Sequence, residues 1–315
     1  MKMIPKDLEN GTETIDERPF IPADVVERAV RLSYLQTILS AVYIASTGGM
    51  FLIGYALKLG ADNVQIGLMS SIPMLFVVLQ LVSAAVVERG VSRRKLTVVA
   101  SLLSVLGWLF IIVLPYACRQ LSLIARIYIL IAIISISAGF AHIANNARAS
   151  WIGDLIPAKR RGDFFGKVFM CAGLIGTILA IVEGLILDHV KRQGISGFTW
   201  LFLFGMAFGL VSTLLFIPQP DVPIARNGSD VRFRTMIRET FANKVLMGVM
   251  VYATVWSLQT IAAPFYTTYM LRDLKMPFVG IGVINAIPTI TMLLSSPFWD
   301  TISKVGPDPV DIGEL

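Results

Sequence analysis

The sequence predicts an all-α polytopic membrane protein, and composition, block length and an internal repeat lead to this prediction. The chain of 315 residues is 55% hydrophobic and only 15% charged, with a mean hydropathy of +0.72. Soluble domains average about 25% charged residues. The apolar residues also fall in blocks of about 20 residues, the length that crosses a bilayer as a helix. Each block must be helical because lipid offers no hydrogen-bond partner to an open backbone.

Eight such blocks are present, and one long polar stretch places six of them before it and two after it. They lie near residues 34–57, 65–87, 96–117, 123–147, 165–187, 199–217, 245–269 and 278–299. The predicted organisation is a cytoplasmic tail, a six-helix half, a cytoplasmic linker with an amphipathic segment, and a partial second half. These parts cover residues 1–33, 34–218, 219–244 and 245–315.

A repeat relates the two sides of the linker. Residues 66–73 read I-G-L-M-S-S-I-P and residues 281–288 read I-G-V-I-N-A-I-P, an offset of 215 residues. Pro73 and Pro288 stand at equivalent places, which predicts kinks in the second and eighth helices. Two such units would run well beyond residue 315, so we expect the second half to be truncated.

Basic residues predict the orientation. Most of the 27 Lys and Arg residues fall in the segments on the side of the N-terminus, which places both termini in the cytoplasm. The net charge of +6 follows from this bias, and the interrupting spans disfavour nucleic-acid binding. The first thirty residues are polar and acidic, unlike a cleavable signal peptide. We expect a multi-pass protein of the bacterial inner membrane.

Two predicted inner loops carry recognisable motifs. Residues 86–96 read V-V-E-R-G-V-S-R-R-K-L, and residues 150–167 read S-W-I-G-D-L-I-P-A-K-R-R-G-D-F-F-G-K. Together they resemble the major facilitator superfamily of transporters. The first loop is a degraded form of that family's G-x-L-a-D-R-x-G-R-K motif, and the second is similar to its drug- and sugar-exporter-like branch. The resemblance covers residues 30 to about 310 and implies a helical bundle with a complete first half and about two helices of the second.

The resemblance also implies a role for the loop charges. In the family, such residues form ion pairs that hold one side of the transporter shut. By this resemblance Glu88 and Arg89 would pair with Arg161 and Asp154, or with helix ends. The alternative is that the basic residues only set the topology. The implied gate residues are Glu88, Arg89, Arg93, Arg94, Asp154, Arg161 and Gly162.

Few ionisable residues fall inside the predicted spans, and these are functional candidates by default. Arg126 and Glu183 lie near the outer ends of the fourth and fifth helices, at similar depth. We expect them to form a structural ion pair. The alternative interpretation is that Glu183 carries a proton coupled to transport.

The resemblance implies that the first, fourth and seventh helices line a central cavity, and these helices offer aromatic, amide and hydroxyl groups. Such groups suit a neutral or amphipathic solute, although hydrogen bonds between helices would also explain them. His142 is either a packing residue or a proton relay. The candidate cavity residues are Tyr43, Thr47, His142, Trp256, Gln259 and Thr260.

The predicted function is transport of an unidentified small solute across the membrane by alternating access. No cofactor, metal or covalent chemistry is expected, and no catalytic cluster indicates an enzyme. The expected partners are the solute, the lipid bilayer and, in one interpretation, a coupling proton, with no nucleic acid. The alternative is a non-transporting truncated remnant, or a subunit completed by a second chain.

Overall fold

The computed structural model describes residues 22–190, 194–221, 238 and 240–305, which are helical apart from short connections. The helices are α1 (Ala23–Thr47), α2 (Gly49–Lys58), α3 (Asn63–Leu75), α4 (Leu79–Glu88), α5 (Arg93–Ala117), α6 (Leu123–Leu155), α7 (Ala158–His189), α8 (Ile195–Leu214), α9 (Lys244–Ser257), α10 (Ala263–Arg272) and α11 (Phe278–Val305). Seven helical segments in this part of the chain are long and apolar enough to cross a membrane. The chain is therefore an all-α polytopic membrane protein, as predicted.

The eight predicted spans correspond to single helices or helix pairs. Span 1 is α1 with α2, span 2 is α3 with α4, and spans 3 to 6 are α5 to α8. Span 7 is α9 with α10, and span 8 is α11. Span 7 is absent from the seven long segments because a 3-10 turn at Leu258–Ala262 divides it into helices of 14 and 10 residues. The predicted block is apolar throughout, but its helix is discontinuous.

Span 1 differs from the predicted block at its start and in its middle. Its helix begins at Ala23, within the segment predicted as a tail, because Ala29 is buried in a cluster with Trp151, Phe164 and Phe216. Its middle is broken between Thr47 and Gly49, where Gly49 adopts a φ of +52°. Such a φ strains residues that have a Cβ, so glycine lowers the conformational strain of this break.

The packing order is not the chain order. Helix α5 packs on α6, and α1 lies against both α7 and α8. Helix α11 packs along α7, and α10 contacts α2 and α3. Spans 7 and 8 therefore attach to the first half through spans 1, 2 and 5.

The repeat is visible in the helix boundaries. Helices α3 and α11 begin at Asn63 and Phe278, which share the 215-residue offset of the sequence repeat, and Ile66 and Ile281 are both fully buried. The equivalent prolines behave differently. A 3-10 turn at Phe76–Val78 follows Pro73, whereas α11 runs through Pro288 as one helix. Span 2 therefore has an interruption that its counterpart lacks.

The predicted linker lies almost entirely outside the described residues. Its first residues, Gln219 to Asp221, are ordered against the first half, whereas residues 222–237, which include most of the amphipathic segment, are not described. The predicted boundaries of tail, halves and linker stay predictions.

Candidate functional site

The two loops with family motifs meet at the predicted inner end of the first half. The Arg93 guanidinium donates to Asp154 Oδ2 at 2.6 Å and to the Ser150 hydroxyl at 2.9 Å. Arg93 is only 2% exposed, while the Asp154 side chain is 43% exposed. A buried guanidinium needs such charge-assisted partners because it cannot lose its proton. The pair therefore fixes the start of span 3 to the end of span 4.

The described residues do not form the gate pairs that the resemblance implies for a closed inner end, and these pairs stay a prediction. Glu88 and Arg89 are exposed, and neither forms a side-chain hydrogen bond or ion pair within the described part of the chain. Arg161 donates to the Ile156 carbonyl at 3.4 Å, at the limit of a hydrogen bond, rather than to a carboxylate. Arg93 takes the partner expected for Arg89 because it is the first residue of α5 and lies directly beside the end of α6.

A second set of contacts attaches the end of span 6 to the same place. Arg94 donates to the carbonyls of Ile217 and Gln219 at 3.2 and 3.0 Å. Trp151 is fully buried and donates from Nε1 to the Pro220 carbonyl at 2.9 Å. Ser92 donates to Asp221 Oδ2 at 2.5 Å. Spans 3, 4 and 6 are thus joined at one end, within the first half.

The opposite, predicted outer end connects the first half to span 8. The Asp188 carboxylate, near the end of α7, accepts from the backbone N–H groups of Phe278 and Val279, both at 3.0 Å. These are the first N–H groups of α11, which have no partner inside that helix. Asp62 makes the equivalent cap within its own repeat, where its side chain accepts from Gln65 N. Pro277 stands at the position equivalent to Asp62, so span 5 supplies the cap that span 8 lacks.

Close packing reinforces this outer contact. A Cβ on Gly184 of α7 would lie 2.9 Å from Val279 N, so only glycine allows this approach. The Phe278 ring stacks on Phe51 with centroids 5.8 Å apart and meets Phe198 edge-on at the same distance. Arg272 donates to Asn63 Oδ1 at 3.0 Å, which joins span 7 to span 2. Contacts of six spans, numbers 1, 2, 5, 6, 7 and 8, close the outer end.

Glu183 does not pair with Arg126, and this prediction is wrong. Arg126 donates instead to the backbone carbonyls of Leu121 and Arg119, at 3.1 and 2.5 Å. Glu183 is 4% exposed and its Oε1 lies 2.5 Å from the Ser46 hydroxyl. The reason is that α7 packs on α1 and α11, which turns Glu183 toward span 1 and away from span 4.

The Ser46 hydroxyl lies within hydrogen-bond distance of two acceptors, so one of these contacts lacks a proton unless the Glu183 carboxyl is protonated. The Ser46 oxygen also lies 2.8 Å from the Val42 carbonyl, and a hydroxyl has one proton to donate. Both contacts are satisfied when Ser46 donates to Val42 and a protonated Glu183 donates to Ser46. Glu183 Oε2 is buried without a partner among the described residues and borders an apolar groove between spans 5 and 6.

A cavity of about 370 Å³ lies between spans 1, 5 and 8. Gly48 and Gly49 at the break of span 1 border it, together with Thr177 and Asn285. Small residues on α7 keep it open, among them Gly173 and Gly176. Its place between the first half and span 8 makes it the candidate solute cavity.

The predicted cavity residues are dispersed. Thr47 is buried and donates to the Tyr43 carbonyl at 2.6 Å, which uses its proton within α1. His142 is half-buried and borders neither this cavity nor the one that holds Tyr43. Trp256 is 62% exposed and stacks on Tyr252 with centroids 6.1 Å apart. The side chains of Gln259 and Thr260 lie outside the described residues.

Tyr43 borders a smaller and more polar cavity of about 130 Å³ inside the first half, between spans 1, 3, 4 and 6. Its polar lining comprises Gln36, Ser40, Tyr43, Ser101, Ser104, Asn145, Arg148, Ser212 and Thr213. Neither Arg148 nor Gln36 is among the cavity residues predicted from the sequence. The signal was available, since Asn145 and Arg148 are three residues apart and so share one face of α6.

A bundle of membrane-spanning helices with cavities between them, a closed end and no strand in the described residues defines the class of α-helical membrane transport proteins. The family model of the Major Facilitator Superfamily matches residues 34–310. The chain belongs to the Major Facilitator Superfamily.

Two solved structures share this fold. One is a mutant form of the nucleoside transporter NupG, at 15% identity and a TM-score of 0.61, with 86% of this chain and 68% of that chain covered. The other is a bacterial homologue of the human lysosomal transporter Spinster, in an inward-facing and unoccupied conformation. It gives 14% identity and a TM-score of 0.61, with 92% and 65% covered. The chain thus spans about two thirds of the length of these proteins. No curated protein matches the sequence.

Proposed function

We propose that the chain transports a small solute across the bacterial inner membrane by alternating access, with both termini in the cytoplasm. Family membership supports solute transport, and the cavity between spans 1, 5 and 8 supplies a place for the solute. The observation that carries the mechanism is the contrast between the two ends of span 7. Thr268 of α10 is buried and Arg272 bonds Asn63, whereas no residue of α9 is buried.

This contrast corresponds to a state closed at the outer end and open at the inner end. In such a state a solute reaches the cavity from the cytoplasm. The opposite state requires that the contacts of Asp188, Gly184 and Arg272 separate while the inner ends approach. Discrete sets of contacts at two ends are what a transporter with rocking halves needs.

We further propose that Glu183 carries a coupling proton. Its carboxyl is buried beside the broken middle of span 1, and its contact with Ser46 is satisfied when it is protonated. Loss of that proton would leave a buried charge that no cation of the described residues pairs with, which favours a change of packing around span 1. A proton on Glu183 would thus link protonation to the arrangement of spans 1 and 5.

Uptake by proteoliposomes tests both parts. Purified protein is reconstituted and exposed to a defined mixture of sugars, nucleosides, amino acids and organic acids under a pH gradient, and accumulated solutes are measured by mass spectrometry. We expect at least one solute to accumulate above protein-free vesicles, and an ionophore to abolish this. Glu183→Gln should lose gradient-driven accumulation while exchange of internal for external solute continues.

Asp24→Asn is the matched control because it removes an exposed carboxylate outside the predicted gate that has no partner within the described residues. It should leave accumulation unchanged. Accumulation that persists in Glu183→Gln would reject the proton site. Absence of any accumulation by the folded protein would reject transport by this chain alone.

One observation favours the second candidate, a subunit completed by another chain. Helix α9 exposes large apolar side chains throughout, including Val245, Tyr252 and Trp256 at 78, 66 and 62%. Uptake that appears only when a second membrane protein is co-purified in fixed stoichiometry would select this alternative.

A further inference from the structure

We propose that the polar cavity of the first half is a binding site for a small organic anion that also carries a hydroxyl group, with Arg148 as the anion partner. This inference rests on the proposed transport function and names the chemical class of its solute. The polar cavity adjoins the cavity between spans 1, 5 and 8, since Ile44 borders both, and it adds a second place for the solute. It differs from the neutral or amphipathic solute that the sequence predicted.

Arg148 is a cation without a counterion in the part of the chain that the structure describes. It borders the cavity from α6 and is half-buried, and its guanidinium lies over the Phe216 ring with 5.9 Å between guanidinium carbon and ring centroid. Within the described residues no carboxylate reaches it. Arg93 differs, because it bonds Asp154, which lies six residues after Arg148 on α6. A guanidinium keeps its charge and offers five donors in a plane that fits a carboxylate or a phosphate.

Gln36 supplies a second, independent observation. It is 3% exposed, borders the same cavity, and donates from Nε2 to the Ser212 hydroxyl at 3.0 Å. Its Oε1 is buried and has no hydrogen-bond partner among the described residues. A buried acceptor without a donor is costly, and a solute hydroxyl in the cavity would satisfy it.

The remaining lining fits a polar solute of limited size. Ser40, Ser101 and Asn145 add hydroxyl and amide groups to the wall. The volume of about 130 Å³ is well below the roughly 300–1,000 Å³ of pockets for drug-sized ligands. The lining has no aliphatic majority that would select a lipophilic compound. A hydroxylated carboxylate or a sugar-phosphate-like monoester combines the charge for Arg148 with the donor for Gln36.

Equilibrium binding to the purified full-length protein in detergent tests the proposal without requiring transport. The probes are gluconate, glycerol 3-phosphate, sorbitol as the neutral polyol, and butyrate as a carboxylate without hydroxyl groups. We expect saturable binding of gluconate or glycerol 3-phosphate, weaker binding of butyrate, and none of sorbitol. Which of the two hydroxylated anions binds more tightly separates a carboxylate site from a phosphate site.

Variants assign the two contacts. Arg148→Gln should weaken anion binding roughly 10- to 100-fold, and Arg148→Lys should weaken it less because the charge remains. Gln36→Leu should remove the preference for gluconate over butyrate while butyrate binding persists. Arg126→Gln is the matched control, since it removes an arginine from the same helix that bonds backbone carbonyls outside this cavity.

Three results would overturn the inference. These are equal binding by the wild type and a folded Arg148→Gln variant, binding of sorbitol as strong as that of gluconate, and no binding of either hydroxylated anion to the folded wild type. Uptake of a neutral solute by proteoliposomes without anion binding would overturn this inference while the proposed transport stands. Anion binding without uptake of any solute would overturn the proposed transport while this inference stands.

Discussion

At the scale of single residues, the loop charges show what a sequence motif predicts and what it does not. The sequence correctly brought loops 86–96 and 150–167 together, because both belong to the predicted inner side. It named both Arg89 and Arg93 as gate residues and expected Arg89 to pair with Arg161 and Asp154 or with helix ends, but Arg93 is the one that reaches Asp154. A motif fixes which loops carry charge, whereas the partner depends on where a helix starts and which way its first turn faces. Neither can be read from spacing alone.

The Arg93 contact leads to a stability prediction. Arg93→Gln should lower the free energy of unfolding by about 1.5–3 kcal/mol, because a charge-assisted hydrogen bond is lost and Ser150 and Asp154 lose their donor. The exposed fraction of Asp154 keeps the expected loss below that of a fully buried pair. Unfolding by titration with sodium dodecyl sulfate, followed by circular dichroism, measures it.

Arg89→Gln is the control for this prediction, because it distinguishes the specific Arg93 contact from a general effect of basic charge in the loop. Arg89 is exposed and unpaired within the described residues, so its replacement should change the free energy by no more than about 0.5 kcal/mol. An equal loss in both variants would show that loop charge, and not the Arg93 contact, stabilises this end.

At the scale of the elements, the sequence repeat also indicates which helix start lacks a capping residue. The offset of 215 residues aligns Asp62 with Pro277, and thus shows that α11 lacks the cap that α3 has. The Asp188 that replaces it lies in another span, 90 residues away from Phe278. A cap supplied across the bundle cannot be found by local patterns, because local patterns describe only one helix at a time.

The same reasoning explains the failed pair of Arg126 and Glu183. Equal depth in consecutive helices was the only basis for that prediction, and depth gives no information about rotation around the helix axis. Glu183 lies on the face of α7 that meets α1, so its partner is Ser46. Helices consecutive in the chain need not share a face, and here α7 shares its faces with α1 and α11.

The cap that Asp188 gives to α11 has two separable effects. It completes the hydrogen bonds at the start of that helix, and it joins span 5 to span 8. Asp188→Ala should lower the free energy of unfolding by about 0.5–2 kcal/mol, the usual cost of losing a cap. Adding Pro277→Asp restores an acidic residue at the position that Asp62 occupies in the first repeat, and should recover this stability. The same unfolding titration measures both variants. No recovery in the double variant would mean that Asp188 acts by joining spans 5 and 8 and not by capping.

At the scale of the whole molecule, close contacts at the predicted outer end join the first half to spans 7 and 8. The bundle class, the number of spans and the family could be predicted because hydropathy and loop motifs extend along the chain. The conformation could not, because it depends on a few close approaches between spans distant in sequence. Gly184 against Val279 is such an approach, and nothing in the sequence around Gly184 distinguishes it from the other glycines of α7.

Gly184→Val should therefore shift the molecule away from the outer-closed state. The added side chain would meet the backbone of Phe278 and Val279 at about 3 Å, and backbone cannot move aside as a flexible side chain can. Spin labels on Val64→Cys and Leu274→Cys, with Cys118 and Cys171 replaced by serine, report the outer separation because both sites are exposed near the outer ends of spans 2 and 7. Double electron–electron resonance should show a longer and broader distance distribution in Gly184→Val.

Gly166→Val provides the comparison on the same helix, because a Cβ there meets nothing within 4 Å. Identical distributions in all three proteins would mean that the outer end stays closed for a reason other than this contact, and the proposed gate between spans 5 and 8 would have to be abandoned.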